Sequence, residues 1–534
     1  MSETPQAAKP APIRLLKSLF TVSGMTLVSR ISGFIRTILF AGVIGAGPVA
    51  DAFYTAFRLP NMFRRLVAEG AFQAAFVPLF AGKLEAEGKA EAKKFAEEVM
   101  AILVLALTAL TALAELATPL FVYVLASGFS GDPEKFDLAV AFTRITFPYL
   151  LFMSLVGLMS GVLNSFGRFF AAAAAPVLLN VFLISIVLIF AQRADVVGYG
   201  LSWGVFAAGA AQFAALYIAC RRSGIALRLR LPKLTPGVKR LVALGTPGFI
   251  AAGAIQINLI IGTNIASREA GAVSWLSYAD LLYQLPLSVI GIAMGVVLLP
   301  DLSRRFRAGD AAGGRASLNR ALEITALLAL PAAAAFVSMP IFLADALFRD
   351  LPEAILGASE FSAHDAAMTG RALAAFGAGL PAFVLVKILS PAFFAQEDTQ
   401  TPMQFALFSI AINTVLAIGL FFWIGFLGVA VATSFAAWLN AGMLAARLHA
   451  RGLFAPDARL TSRGARIIVA AILMGAALAA AVARAPDFAA ALGGREWLLM
   501  LIFVLGGATV YGGLCLALGA ARLSELRALA RRGR

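Results

Sequence analysis

Apolar runs recur along the whole chain, each long enough to cross a bilayer as helix and each closed by a polar, Gly or Pro break. The pattern predicts fourteen spans. They lie near 16–46, 49–82, 95–126, 137–164, 168–192, 196–220, 239–267, 272–303, 316–348, 366–395, 401–424, 427–449, 464–484 and 496–521. No polar interval between them is long enough for a soluble domain, so the predicted fold is an all-α polytopic membrane protein forming one integrated bundle. A weak internal repeat organises the spans. The second reads FRLPN, EGAF and FVPLF and the eighth YQLPLSV, IAMG and LLPDL, which matches Pro60 to Pro286, Gly70 to Gly295 and Pro78 to Pro300. Six helices separate the copies, an even number, so both have the same orientation and are related about an axis along the membrane normal. Residues 1–222 and 223–452 are then two pseudo-symmetric six-helix lobes, and 453–534 supplies two C-terminal helices and a basic tail.

Composition supports this class. Of 534 residues, 60% are hydrophobic and 14% charged, with a mean hydropathy of +0.87, whereas soluble domains carry about 25% charged residues. The net charge of +15 matters by its side of the membrane. With the N-terminus in the cytoplasm, 30 of the 44 Lys and Arg fall inside, chiefly in GKLEAEGKAEAKK, CRRSGIALRLRLPKLTPGVKR, SRRFRAGDAAGGR, the stretch from Arg447 to Arg466 and the tail. Seven fall outside: Lys135, Arg193, Arg268, Arg349, Arg371, Arg484 and Arg495. That asymmetry places both termini in the cytoplasm. Aromatic and basic residues do not interleave in a soluble patch, so nucleic acid is not an expected partner. The start, MSETPQAAKPAPIRLLKSLF, flows into a helix with no small-residue cleavage site and reads as a short cytosolic tail, not a removable signal. Cys220 and Cys515 lie in or beside apolar helices and read as small core residues.

Seven cations remain within spans: Arg30, Arg36, Arg58, Arg64, Arg65, Arg144 and Lys387. An ionisable group at mid-bilayer is costly and faces a cavity or a partner. Arg30 and Arg36 are six residues apart, about 120° around a helix, which suits two walls of one cavity. In DAFYTAFRLPNMFRRLVAEGAF, Asp51, Arg58 and Arg65 recur every seven residues, and Arg65 and Glu69 make an i,i+4 pair. Pro60 kinks this segment, which is tolerated at membrane depth where backbone is buried in protein or lines a wet cavity. Snorkelling anchors for Arg30 and Arg36, and a re-entrant turn for 51–72, are the alternatives. Arg144, nearer an outer end, suits snorkelling; for Lys387 cavity lining and structural pairing stand level. Converging guanidinium groups with few carboxylates favour a phosphate or pyrophosphate over a sodium ion or a cationic drug. The spacings GLMSG at 157 and GIAMG at 291 fit close helix packing.

The chain has no HExxH, GxSxG, P-loop or DDxxD, and its two histidines, His364 and His449, lie in or beside connections on opposite faces. No cofactor or metal is expected, and the expected class is a transporter without an enzymatic step. Three stretches carry a resemblance: SRISGFIRTILFAGVIGAG running on to DAFYTAFRLPNMFRRLVAEGAFQAAFVPLF, ITFPYLLFMSLVGLMSGVLNSFGRF, and VSWLSYADLLYQLPLSVIGIAMGVVLLPDLSRR. With KILSPAFFAQEDTQTP, they resemble the MurJ (MviN) family of lipid II flippases, in the multidrug/oligosaccharidyl-lipid/polysaccharide exporter superfamily.

The resemblance implies fourteen helices, two six-helix lobes forming a V, and a polyprenyl-tail groove helped by the last two helices. It implies that lipid II, the undecaprenyl-pyrophosphate-linked muropeptide, moves from the inner to the outer leaflet of the bacterial cytoplasmic membrane by alternating access. Membrane phospholipids surround the protein, which is expected to be a monomer. The family's central basic residues map to Arg30, Arg36 and Arg64, with Asp51 and Glu69 as acidic companions; Arg58, Asn61 and Arg65 occupy adjacent motif positions. On the eighth helix, Leu281 follows Asp280 where the family commonly has Arg, and Gln284 stands where some members have an acid. Export of another polyprenyl-linked glycan or of a small molecule, and a non-transporting scaffold, are the competing readings.

Overall fold

The computed structural model describes residues 12–67, 71–191 and 193–521, and the chain divides into two compact units. Met1–Ile44 and Pro48–Ile260 make the first unit; Gly45–Gly47 and Ile261–Arg534 make the second. The helices that begin in the first unit are α1 (Pro12–Ile44), α2 (Pro48–Val67), α3 (Ala71–Ala86), α4 (Gly88–Leu116), α5 (Thr118–Leu125), α6 (Pro133–Thr146), α7 (Tyr149–Ser165), α8 (Phe170–Ile189), α9 (Ala194–Arg222) and α10 (Pro236–Ala266). The second unit continues with α11 (Ala272–Arg307), α12 (Ala311–Ser338), α13 (Pro340–Asp345), α14 (Leu351–Leu356), α15 (Ala363–Phe394), α16 (Gln400–Ile424), α17 (Leu427–Ala450), α18 (Ala458–Val482), α19 (Ala485–Ala491) and α20 (Glu496–Ala517). Among the described residues no strand occurs.

Eleven helical segments among the described residues are long and apolar enough to cross a membrane. This criterion does not reach the expected fourteen. For α2 the reason is plain: its 20 residues include Asp51, Arg58, Arg64 and Arg65. The span expected over 49–82 takes in α2 and α3, with residues 68–70 between them outside the described residues. Pro60 sits inside α2 without ending it. By contrast, α6 and α7 act as one span, Pro133–Ser165, jointed around Pro148, whose ring supplies no backbone donor.

Local signals explain several helix starts. Asp132 caps α6 by accepting from the Lys135 N–H at 3.2 Å, with Pro133 in the first helical position. Ser362 and Asp365 form a reciprocal capping box at α15. The core of the first unit gathers Leu59 of α2, Leu107 of α4, Leu125 of α5, and Phe147 and Leu150 around the α6–α7 joint. Burial of Leu59 leaves Arg58, Asn61 and Arg64 on the partly buried remainder of α2.

The GLMSG spacing proves to be a packing device. Gln73 of α3 donates to the Gly157 carbonyl of α7, and a Cβ on Gly161 would lie 2.9 Å from Gln73 Oε1 and 3.0 Å from the Phe76 ring. Gly161→Leu is therefore expected to destabilise the purified protein by about 1–3 kcal/mol through overpacking. Gly82→Leu, where an added Cβ meets nothing within 4 Å, is the matched control in a thermal melt.

A polar pin ties the connection after α15 to the end of α17. Arg451 Nη1 lies 2.7 Å from Asp398 Oδ2 and its guanidinium sits 5.3 Å from the Phe393 ring centre. Hydrogen bonds from the Thr401 backbone and hydroxyl, with Arg451 adding to them, hold the Asp398 carboxyl down to a pKa of about 2. A depressed carboxylate stabilises the fold above its unfolded value and loses that contribution as pH falls through its folded value. The stability gap between the parent and Asp398→Asn should accordingly be full at pH 7 and close as pH approaches about 2, read from melts across pH.

Candidate functional site

Arg36 marks the best-defined polar site of the first unit. It follows SRISG on α1, a stretch of small residues where α8 packs. Asn180 of α8 reaches into that stretch and donates through Nδ2 to the Ser29 carbonyl and the Ser32 hydroxyl, each at 2.9 Å. Its Oδ1, thereby fixed in orientation, accepts from Arg36 Nη1 at 3.0 Å. The Arg36 guanidinium also lies 5.6 Å from the Phe40 ring centre, and its buried Nε has no hydrogen-bond partner. Among the described residues no carboxylate pairs with it. A partly buried cation with a neutral acceptor on one side and an unused donor on another suits an incoming anion.

The other expected cations of this unit separate by environment. Arg30 is exposed and Arg36 partly buried. Arg64 is partly buried and donates through Nε to Asn61 Oδ1 at 2.9 Å. Arg58 is partly buried on the same helix. The side chain of Arg65 and all of Glu69 lie outside the described residues, and with them the expected i,i+4 pair.

Asp51 has a partner on another helix. Its carboxylate is fully buried and meets Lys135 Nζ at 2.6 Å. Lys135, counted by the sequence as an outer connection, is in the first turn of α6, 5% exposed, with its ammonium 4.3 Å from the Phe129 ring centre. The pair joins α2 to α6 and neutralises the acid that α2 carries inward.

In the second unit, Gln284 donates through Nε2 to Asp280 Oδ2, one turn apart on α11. Leu281 lies between them, partly buried. Lys387, on α15, is exposed. Sequence reading passed over two residues, Lys135 and Asn180. The signal for Asn180 was present: it is a lone amide in the apolar run APVLLNVFLIS, and such a group inside a membrane needs a partner.

Known proteins resemble the chain along nearly its whole length. A family model described as lipid II flippase MurJ matches residues 40–490. A protein of Rhizobium meliloti (strain 1021) named probable lipid II flippase MurJ is 47% identical over 527 residues, 97% of each chain. The lipid II flippase MurJ of Burkholderia cenocepacia is 39% identical over 451 residues, 83% of this chain and 86% of its own. Among solved structures, a lipid II flippase MurJ in an inward closed conformation superposes with a TM-score of 0.74 at 24% identity, covering 92% of this chain and 97% of the other. An inward-facing multidrug resistance MATE family transporter of the MOP superfamily gives 0.67 at 16% identity, covering 83% and 99%. These structural likenesses show a fold shared by the two.

Proposed function

The chain belongs to the lipid II flippase MurJ family, and on that premise we propose that it carries lipid II from the inner to the outer leaflet of the bacterial cytoplasmic membrane by alternating access. The observation that carries this reading is the 47% identity to a protein of that name over 97% of both chains. The first unit supplies compatible chemistry. Arg36, presented by Asn180 with Nε unused, and Arg64, presented by Asn61, hold the pyrophosphate. Arg58 adds positive potential, and Arg65 and Glu69 complete the sequence motif. Arg30, being exposed, meets the anion during entry.

No arginine follows Asp280 on α11. There the Asp280–Gln284 pair presents an amide in place of a guanidinium, and Lys387 is the cation that the sequence places within a span of that lobe. Such a division makes the first lobe the pyrophosphate holder. The lobes are 1–222 and 223–452, with 453–534 lending a groove for the polyprenyl tail. Both termini face the cytoplasm, the working unit is a monomer, and transport proceeds without a chemical step on the substrate.

Native mass spectrometry of the purified protein tests the substrate directly. Lipid II should be retained in preference to phospholipid. Retention of a different polyprenyl-linked glycan, with lipid II ignored, would redirect the assignment to another exporter of the superfamily.

A further inference from the structure

A cation-bearing cavity opens elsewhere in the first unit. Its volume is about 860 Å³, and its walls come from the early part of α1, the turn between α7 and α8, the first turns of α8, and the end of α9. Two arginines, Arg168 and Arg222, are among its lining residues. Both are exposed, and neither forms an ion pair among the described residues. The rest of the lining is mostly apolar, with Met25, Phe170, Leu178 and Ile218 among it.

The cationic rim is held by regular helix ends. Gly167 takes φ +70° after α7, which lets the Arg168 N–H return to the Leu163 carbonyl at 2.9 Å. Gly224, at φ +71°, ends α9 in the same manner, with the Ile225 N–H on the Cys220 carbonyl at 2.9 Å. Arg222 is the last residue of α9. Both cations thus stand on fixed backbone at one end of the helices. By the charge asymmetry of the chain, that end is the cytoplasmic one.

We propose that this cavity binds one anionic glycerophospholipid of the cytoplasmic leaflet, its phosphate held by Arg168 and Arg222 and its acyl chains laid along Phe170, Leu178 and Ile218. Charge complementarity and the abrupt change from cationic rim to apolar wall define an amphiphile with a single anionic end. The volume sets its size. Cavities of roughly 300–1,000 Å³ hold a drug-sized group, which suits a phosphoglycerol headgroup with the start of its chains and is too small for a disaccharide-pentapeptide. The cavity is separate from the Arg36 and Arg64 sites, and its occupancy does not depend on which substrate is carried.

The bland reading is that Arg168 and Arg222 are ordinary positive-inside anchors, equivalent to their neighbour Arg221, which is exposed but does not line the cavity. Titration of the purified full-length chain with phosphatidylglycerol, followed by native mass spectrometry, separates the two. The parent should hold one phosphatidylglycerol selectively over phosphatidylcholine and over undecaprenyl phosphate. Arg168→Ala with Arg222→Ala should weaken that binding about thirtyfold, and Arg221→Ala should leave it unchanged. Ala215→Trp should also abolish it by filling the cavity with both arginines in place; helical content and elution volume report that each variant is folded. Three results would overturn the proposal: parent-like binding by the double variant or by the filled cavity, an equal loss in Arg221→Ala, or preference for undecaprenyl phosphate.

Discussion

Arg36→Ala is expected to weaken lipid II binding by roughly 30- to 1,000-fold, the range that follows from removing one partner of a desolvated charge-assisted contact at about 2–4 kcal/mol. The size of the effect comes from what surrounds the side chain. Arg36 has one neutral acceptor, Asn180, and a buried Nε with no partner, so its charge is uncompensated until an anion arrives. Asn180→Ala tests the presentation of that charge. It removes the acceptor and both bonds from Asn180 to α1, leaving the guanidinium present but unheld, and should cost about three- to tenfold in affinity. Since both residues act on one contact, the double variant should bind no worse than Arg36→Ala alone. Titration of the four proteins with lipid II, read by native mass spectrometry, gives the cycle.

Loss of one partner of the Asp51–Lys135 pair should be the most destabilising change in the first unit. Both side chains are buried, Asp51 completely and Lys135 to within 5%, and their closest approach is 2.6 Å. Truncating either leaves the other charge buried without its 2.6 Å contact, and breaking such a pair typically costs about 3–5 kcal/mol. Lys135→Met and Asp51→Leu should each lower the melting temperature sharply in detergent. The double variant, which removes both charges and keeps their volume, should recover most of the loss. Equal damage from the double variant would mean that the two sites contribute through something other than their mutual charge.

This pair also shows how far the sequence could be read. Five charges in residues 51–72 are visible in a glance at the chain, and membrane physics alone requires each to have a partner or a cavity. Which of the two applies depends on contacts between helices distant in sequence. Asp51 finds Lys135, 84 residues away, on a helix whose start reads as a polar outer connection because of its DPEK composition. Helical periodicity groups Asp51 with Arg58 and Arg65 on one face, but periodicity says nothing about what that face meets. Arg30 and Arg36 illustrate the same limit. Their six-residue spacing fixes an angular separation, while the packing of α8 against α1 decides that Arg36 is partly buried and Arg30 exposed.

Other features were legible because they are local. Repeated apolar runs gave the helical membrane class, and the α15 capping box and the Asp132-Pro133 start of α6 follow from neighbouring residues. The course of α2 was harder. Pro60 is the conspicuous breaker in residues 51–72, yet α2 continues through it. Proline in a membrane helix removes one donor and kinks the helix without obliging it to stop. The departure at Leu281 was readable in the sequence, whereas the pairing of its neighbours Asp280 and Gln284 with each other was not.

The central claim, that arginines of the first unit hold the pyrophosphate while lipid II crosses the membrane, is tested most directly by translocation in reconstituted vesicles. Labelled lipid II is followed as it becomes accessible to a membrane-impermeant reagent, with equal protein incorporation verified for the parent, Arg36→Ala and Arg64→Ala. The account predicts translocation by the parent and its loss in both variants. Translocation at the parental rate by Arg36→Ala and Arg64→Ala would contradict it.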